Sequence, residues 1–200
     1  MNSEIKSLKG TAIPKISNDQ NTDDIIPARY LKEITFKNMG KYVYFDERFK
    51  NGIEIKEHQF NNAKFKGASI LIAGANYGCG SSREHAPQAL HRFGIKAIIA
   101  ESFAEIFAGN CASLGVVGVT LPAKEIAALA QQVEKEPKTE LSISLQDKTI
   151  SFAGKKLGFE IPEGKRQSFL NGTWDAMAVL KNSEQEIEKV AEKLDYLKYE

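Results

Sequence analysis

Cysteine is almost missing from this chain. Cys79 and Cys111 are the only two, and no CxxC pair occurs. Two thiols allow one disulfide at most, and nothing in the sequence points to secretion, so free thiols are expected. An excess of one charge is missing as well. The chain has 27 basic and 26 acidic residues, a formal net charge of +1, and no basic stripe stands out. That argues against nucleic acid as a partner. No apolar run is long enough to span a bilayer, so no membrane association is expected. The opening MNSEIKSLKG has no apolar signal core, which points to the cytoplasm. Internal repeats and low-complexity tracts are absent. So are the dinucleotide fingerprint GxGxxG, the phosphate loop GxxxxGK[ST] and the hydrolase elbow GxSxG. Nucleotide binding and ordinary serine hydrolysis therefore have no support.

What is present centres on Ala73 to Leu90, AGANYGCGSSREHAPQAL. A short apolar run, Ser69 to Ala73, precedes it and reads as a buried strand. Gly74, Gly78 and Gly80 follow, and then Ser81, Ser82, Arg83, Glu84 and His85. Ala86, Ala89, Leu90 and Phe93 recur at helical spacing after that. Strand, glycine turn and helix start together make an anion site, because glycines let backbone N–H groups approach a ligand and the helix start adds partial positive charge. Ser81 is the sharpest candidate: neighbouring amides and a cation could stabilise its alkoxide. Arg83 offers a planar fork that suits a carboxylate. An imidazole such as that of His85 can donate or accept a proton near neutral pH. A plainer reading stays open beside this one. Ser81-x-x-Glu84 also spells a capping box, which needs no catalysis, although Pro87 would interrupt a helix capped at Ser81. The two readings are compatible.

The rest of the chain reads as a mixed α/β domain. Residues 1–10 form a loose end or edge strand, and 17–24 a polar loop. Tyr42 to Phe45 is a short strand or helix edge, and 46–65 is irregular, with a turn at Asn51-Gly52. Strands are expected at 96–100 and 116–121. Helices are expected at 102–107, ended by Gly109-Asn110-Cys111, and at 124–135. A hairpin is expected over 141–152 with its turn at Asp147, and a break at 161–164. The last segment, 184–197, is a helix whose Ile187, Val190, Leu194 and Leu197 share one side, expected to pack on the domain rather than anchor in a membrane, with a partner surface as the alternative. Asp23 and Asp24 read as turn-capping rather than cation-binding. His58 and His91 are isolated, and Cys79 is a small buried thiol.

Tyr77-Gly-Cys-Gly-Ser-Ser-Arg-Glu-His-Ala-Pro87 resembles the signature of the small subunits of 3-isopropylmalate dehydratase, in the aconitase superfamily. Asn21-Thr-Asp-Asp-Ile-Ile-Pro-Ala-Arg-Tyr-Leu31 and Ser102-Phe-Ala-Glu-Ile-Phe107 with Asn110-Cys111 match in order and spacing. The likeness covers roughly residues 10–180. It implies an aconitase-type swivelling domain, a layered β/β/α arrangement within the α/β class. One domain is expected over 1–200, with its core at about 10–180 and a C-terminal helix over 181–200. The implied reaction is a hydro-lyase isomerisation in leucine biosynthesis: 2-isopropylmalate becomes 3-isopropylmalate by loss and return of water. The resemblance further implies a heterodimer with a large subunit that carries a [4Fe–4S] cluster. The residues agree with that division, because a cubane cluster usually takes several cysteine thiolates and this chain has two, unclustered. No metal is expected on this chain.

By the same resemblance Ser81 takes the proton from the carbon beside a carboxylate, Arg83 grips a substrate carboxylate and Ser82 is a neighbouring contact. Arg29, Tyr30, Leu31 and Lys32 match a loop that helps select the substrate's side group. Gly80, Glu84 and His85 support the motif, Glu84 by orienting Arg83. Arg166 is carried over from the C-terminal part. Sister substrates remain alternatives: homoaconitate, citraconate/citramalate or dimethylmalate. So does a non-catalytic module that only binds a carboxylate.

Overall fold

The computed structural model describes residues 3–81, 83–194 and 196; Ser82 and Leu197 lie outside it. Three runs of apolar sequence set the frame. Ile70–Ala73 (β5) and Ala97–Ala100 (β6) are buried along their whole length, as strands covered on both faces must be. Val117–Thr120 (β7) alternates instead and forms one edge. Parallel pairing requires long crossovers. These contain His85–Phe93 (α3) between β5 and β6, and Glu105–Ser113 (α4) between β6 and β7. Ala123–Lys135 (α5) follows, burying Ile126, Leu129, Ala130 and Val133 at the spacing read from the sequence.

The other edge is Ala12–Lys15 (β2), parallel to β5, with Ile13 opposite Leu71. The sequence reading contained no strand there. Pro14 removes a donor from the ladder, which an edge strand tolerates. A second, antiparallel sheet has the order β1-β8-β9-β10: Ser7–Gly10, Leu141–Ser144, Thr149–Phe152 and Lys155–Gly158. The hairpin expected over 141–152 is its centre, with Ile143 opposite Ile150. β10 joins through a two-residue turn, Ala153-Gly154, with φ of 44° and 74°. A primed turn built on Ala-Gly lacks the usual Asn or Asp signal. The Asn51-Gly52 turn does carry that signal. It closes a small hairpin of Phe49–Lys50 (β3) and Ile53–Glu54 (β4), so the 46–65 stretch is less irregular than expected.

Four further readings are corrected, and of the two options open at Tyr42 to Phe45 the helix edge is the one found. The polar 17–24 stretch ends in a short helix, Thr22–Ile25 (α1). Tyr42 to Phe45 is a helix edge, leading from a 3-10 turn into Phe45–Arg48 (α2). α4 starts at Glu105 and runs through Gly109-Asn110-Cys111 to Ser113; the glycine beyond its end is Gly115, at φ 74°. The break at 161–164 is a helix start, since Pro162 opens Glu163–Asn171 (α6), where a missing N–H costs nothing. The C-terminal segment forms Ala176–Asn182 (α7) and Glu184–Ala191 (α8). Its apolar side is not packed on the domain: Ile187 and Val190 are 47% and 57% exposed. Both cysteines are free thiols.

Candidate functional site

The chain leaves β5 at Ala73 and does not turn at once into a helix. Residues 75–79 instead run between two neighbouring loops and bond to both. On one side Ala75 N donates to Asn18 Oδ1 (2.9 Å), Gly78 N to Gln20 O (2.8 Å), and Cys79 O accepts from Thr22 N (2.9 Å). On the other, Asn76 N donates to Ser102 Oγ (2.8 Å) and Tyr77 N to Ser102 O (3.0 Å). Most backbone donors of the loop are thus bonded to its neighbours much as in a sheet, which holds it above the strand ends. Carboxyl ends of parallel strands are the usual place for ligands in such folds.

Side chains anchor it from below. Tyr77 is fully buried, edge-on to Phe107 at 5.4 Å, and its hydroxyl meets that of Tyr44 at 2.6 Å. Burial pushes both phenols far above their ordinary range, so they stay neutral and serve as a hydrogen-bonded strut. The next residue, Gly78, has φ 79°, and a Cβ there would fall inside the Phe107 ring. Gly80 has φ 90° and rests over Asn21. The chain then delivers Ser81 to the surface.

Ser81 and Arg83 line one cleft of about 260 Å³, together with Thr22, Glu105, Ile106 and the buried Phe107. Ser81 is exposed; its main-chain oxygen accepts from Thr22 Oγ1 at 2.9 Å, and its hydroxyl has no hydrogen-bond partner among the described residues. Arg83 is largely covered, with its side chain 22% exposed, and pairs with Asp23 through Nη1. Asp23 reaches it from α1. There Asn21 and Asp24 form a reciprocal cap: Asp24 N donates to Asn21 Oδ1 at 2.9 Å, and Asn21 N to Asp24 Oδ2 at 3.0 Å. The adjacent carboxylates therefore divide their work. Asp24 caps, as the sequence suggested, and Asp23 holds the arginine 60 residues away. Composition and spacing gave no signal for that pairing.

The Ser81–Glu84 capping box does not form. α3 begins at His85, and Glu84 occupies its cap position with helical φ and ψ and no side-chain bond to the backbone. Pro87 falls in the first turn, where no intrahelical bond is lost. Glu84 accepts from Gln88 Nε2 at 3.1 Å instead of orienting Arg83. His85 is half-buried, edge-on to Phe36 at 5.3 Å, and does not line the cleft. Arg29, Tyr30, Leu31 and Lys32 form a 3-10 turn that does not line it either. Arg29 pairs with Asp46 (Nη1 to Oδ2, 2.9 Å), which holds the Asp46 carboxyl below its usual range. Tyr30 stacks on Tyr42 at 4.0 Å. Arg166 is occupied structurally: it pairs with Glu163, whose carboxyl falls to about 2, and donates to Leu145 O at 2.9 Å.

The donor set does not fit an iron–sulfur cluster. Cys111 is buried, and desolvation pushes its thiol far up. Cys79, in the motif itself, is partly exposed, with its Sγ 3.3 Å from Asp19 O. Among the described residues, no three of histidine, cysteine, aspartate or glutamate come together to hold a metal ion. No helix there is long and apolar enough to cross a membrane.

Comparison with known proteins follows the same lines. Residues 2–124 match the family model of the aconitase C-terminal domain. The 3-isopropylmalate dehydratase small subunit of Synechocystis sp. is 40% identical, over 99% of this chain and 98% of that protein. The small subunit from Thermus thermophilus is 39% identical over 94% of each chain. That from Bacillus licheniformis is 40% identical over 92% of this chain and 93% of its own. Among solved structures, 3-isopropylmalate dehydratase from Methanocaldococcus jannaschii superposes with a TM-score of 0.68 at 29% identity. It covers 92% of this chain and 98% of its own.

Proposed function

The chain belongs to the 3-isopropylmalate dehydratase small subunits, with the swivelling-domain fold of the aconitase superfamily, and from that premise we propose how its own residues take part in the isomerisation of 2- to 3-isopropylmalate. The observation that carries the proposal is the shared cleft of Ser81 and Arg83. Nη1 of Arg83 is held by Asp23, and among the described residues Nε and Nη2 have no protein partner. A guanidinium fixed by one edge presents its other donors in a plane, which matches a substrate carboxylate. Ser81 Oγ, with no side-chain partner among the described residues, reacts as the alkoxide that the cation and neighbouring amides stabilise. It takes the proton from the carbon next to that carboxylate and becomes the neutral hydroxyl. The C–H electron pair becomes the new double bond as the neighbouring hydroxyl departs, and the proton rests on Ser81. Returning both groups with their positions exchanged gives the isomer. Arg83 favours the proton transfer because negative charge grows on the carboxylate it holds.

Departure of hydroxide needs a Lewis acid. We assign that to a [4Fe–4S] cluster on the large subunit, since two cysteines cannot hold one here. The active site is then completed by two chains, in the cytoplasm. The test is to mix the purified chain with its large subunit and follow turnover of 2-isopropylmalate beside homoaconitate, citraconate/citramalate and dimethylmalate. Activity highest with 2-isopropylmalate is expected. No activity with any of them would leave only a carboxylate-binding module.

Asp23 acts through Arg83 as a positioning residue. Asp23→Asn should raise KM about tenfold and change kcat much less, because a charge-assisted hydrogen bond contributes roughly 1.5–3 kcal/mol. Arg83→Lys, a point charge without the fork, should raise KM at least as much and lower kcat as well, because the carboxylate that the fork holds gains charge during proton transfer. Equal falls in kcat and kcat/KM for Asp23→Asn would show that it serves the transition state rather than binding.

A further inference from the structure

A larger cleft, of about 630 Å³, opens next to the first. The two share Glu105, at the start of α4. The fold makes them neighbours. The first lies beyond the end of β5, and the second beyond the ends of β6 and β7, where Ser102 and Thr120 stand on its wall. Its apolar lining includes the partly buried Phe103 and the buried Ile161 and Phe169. Four charged residues surround that lining: Glu105, Glu160, Lys148 and Lys165. None of the four is in an ion pair among the described residues. Lys148 helps hold down the Glu163 carboxyl, but the ion pair there belongs to Arg166. Next to the shared Glu105, Ile106 lines the smaller cleft and is 60% exposed although it is a large aliphatic side chain.

We propose that the larger cleft is the docking pocket for the large subunit, receiving an apolar side chain on the Phe103–Phe169 surface and a carboxylate between Lys148 and Lys165. This rests on the small-subunit reading, which requires a second chain over Ser81. A chain placed there covers Ile106 and meets Glu105, which is already the wall of the second cleft. The surface is therefore continuous with the one the reaction needs covered. An apolar centre with a charged rim is the usual anatomy of such an interface, and an anchor in a concave pocket is where binding energy concentrates.

The experiment measures the Kd for the purified large subunit by interferometry, with the wild-type chain and with a Lys148→Glu/Lys165→Glu double variant. Lys148 is exposed and Lys165 half-buried, and circular dichroism checks that the double variant folds. Lys96→Glu is the control, run beside each single variant, Lys148→Glu and Lys165→Glu: it makes the same change of charge as either of them, at the other end of the parallel sheet, just before β6. A rise in Kd of about tenfold or more is expected for the double variant, with none for Lys96→Glu. Binding of the double variant within twofold of wild type overturns the inference and leaves the function standing. Binding of a small aliphatic acid such as isocaproate to the isolated chain, lost in the double variant while assembly is unchanged, overturns it in favour of a ligand site. A wild-type chain that binds no large subunit removes the small-subunit reading and the inference together.

Discussion

A Ser81→Ala chain, reassembled with its large subunit, should turn over about a thousandfold more slowly, within the 10²–10⁴ that a positioned base contributes. Its thermal midpoint should stay unchanged. The reason lies in how Ser81 is held. The contact that fixes it is made by its main-chain oxygen, which accepts from Thr22 Oγ1, and alanine keeps that oxygen. Gly80 and Thr22 set the backbone, and Arg83 keeps Asp23. Only the hydroxyl is lost, so KM should move little while kcat falls. Steady-state kinetics and a melting curve on the same preparation separate these effects. If the variant keeps more than about a tenth of wild-type turnover, another group takes the proton and Ser81 is only a neighbour of the substrate.

Gly78→Ala should be the most destabilising single-methyl change in the motif. Two costs add. The position has φ 79°, where a side chain costs roughly 1–2 kcal/mol. The new methyl would also enter the Phe107 ring, and overpacking of that kind costs about 1–3 kcal/mol. Phe107 has little room to retreat, being 3% exposed and pressed edge-on by Tyr77. A total of about 3 kcal/mol corresponds, for a chain of this size, to a fall in Tm of about 6–12 °C. Any relief by movement of the loop would shift Ser81 as well, so activity should fall in the fraction that stays folded. Gly164→Ala is the matched control. It lies within α6, no atom is within 4 Å of its would-be Cβ, and it needs no left-handed backbone. Alanine there should be neutral or stabilise by up to about 1 kcal/mol. Similar melting of the two variants would show that the Gly78 loop yields easily and is not held as described.

The motif was legible in the sequence because its chemistry is local. Five polar residues after three glycines, behind an apolar run, place Ser81 and Arg83 at the end of a strand whatever the rest of the chain does. The buried strands β5 and β6 and the helix α5 were equally plain, since each declares itself by a period within its own residues. The misreadings share the opposite property. Glu84 has the capping spacing, yet α3 starts later and Glu84 takes Gln88 instead. The surroundings of Arg29 to Lys32 were no more legible: Asp46 and Tyr42 hold Arg29 and Tyr30 outside the lining of this chain's own cleft, and their part in selecting a substrate stays a proposal. Ile187 and Val190 have core spacing and nonetheless face outward, because periodicity reports a stripe and not what covers it.

The sequence by itself determined the α/β class, the strand that leads into the motif, and the hydroxyl and guanidinium that the motif carries. It also established that two cysteines cannot supply a cluster. Only the tertiary structure decided that Asp23 holds Arg83, that Pro14 lies in an edge strand, and that a second cleft adjoins the first through Glu105. Each of these depends on residues far apart in the chain meeting where parallel strands end. Pairings across 60 residues leave no period or spacing behind them; they exist only once the sheet has brought its loops together.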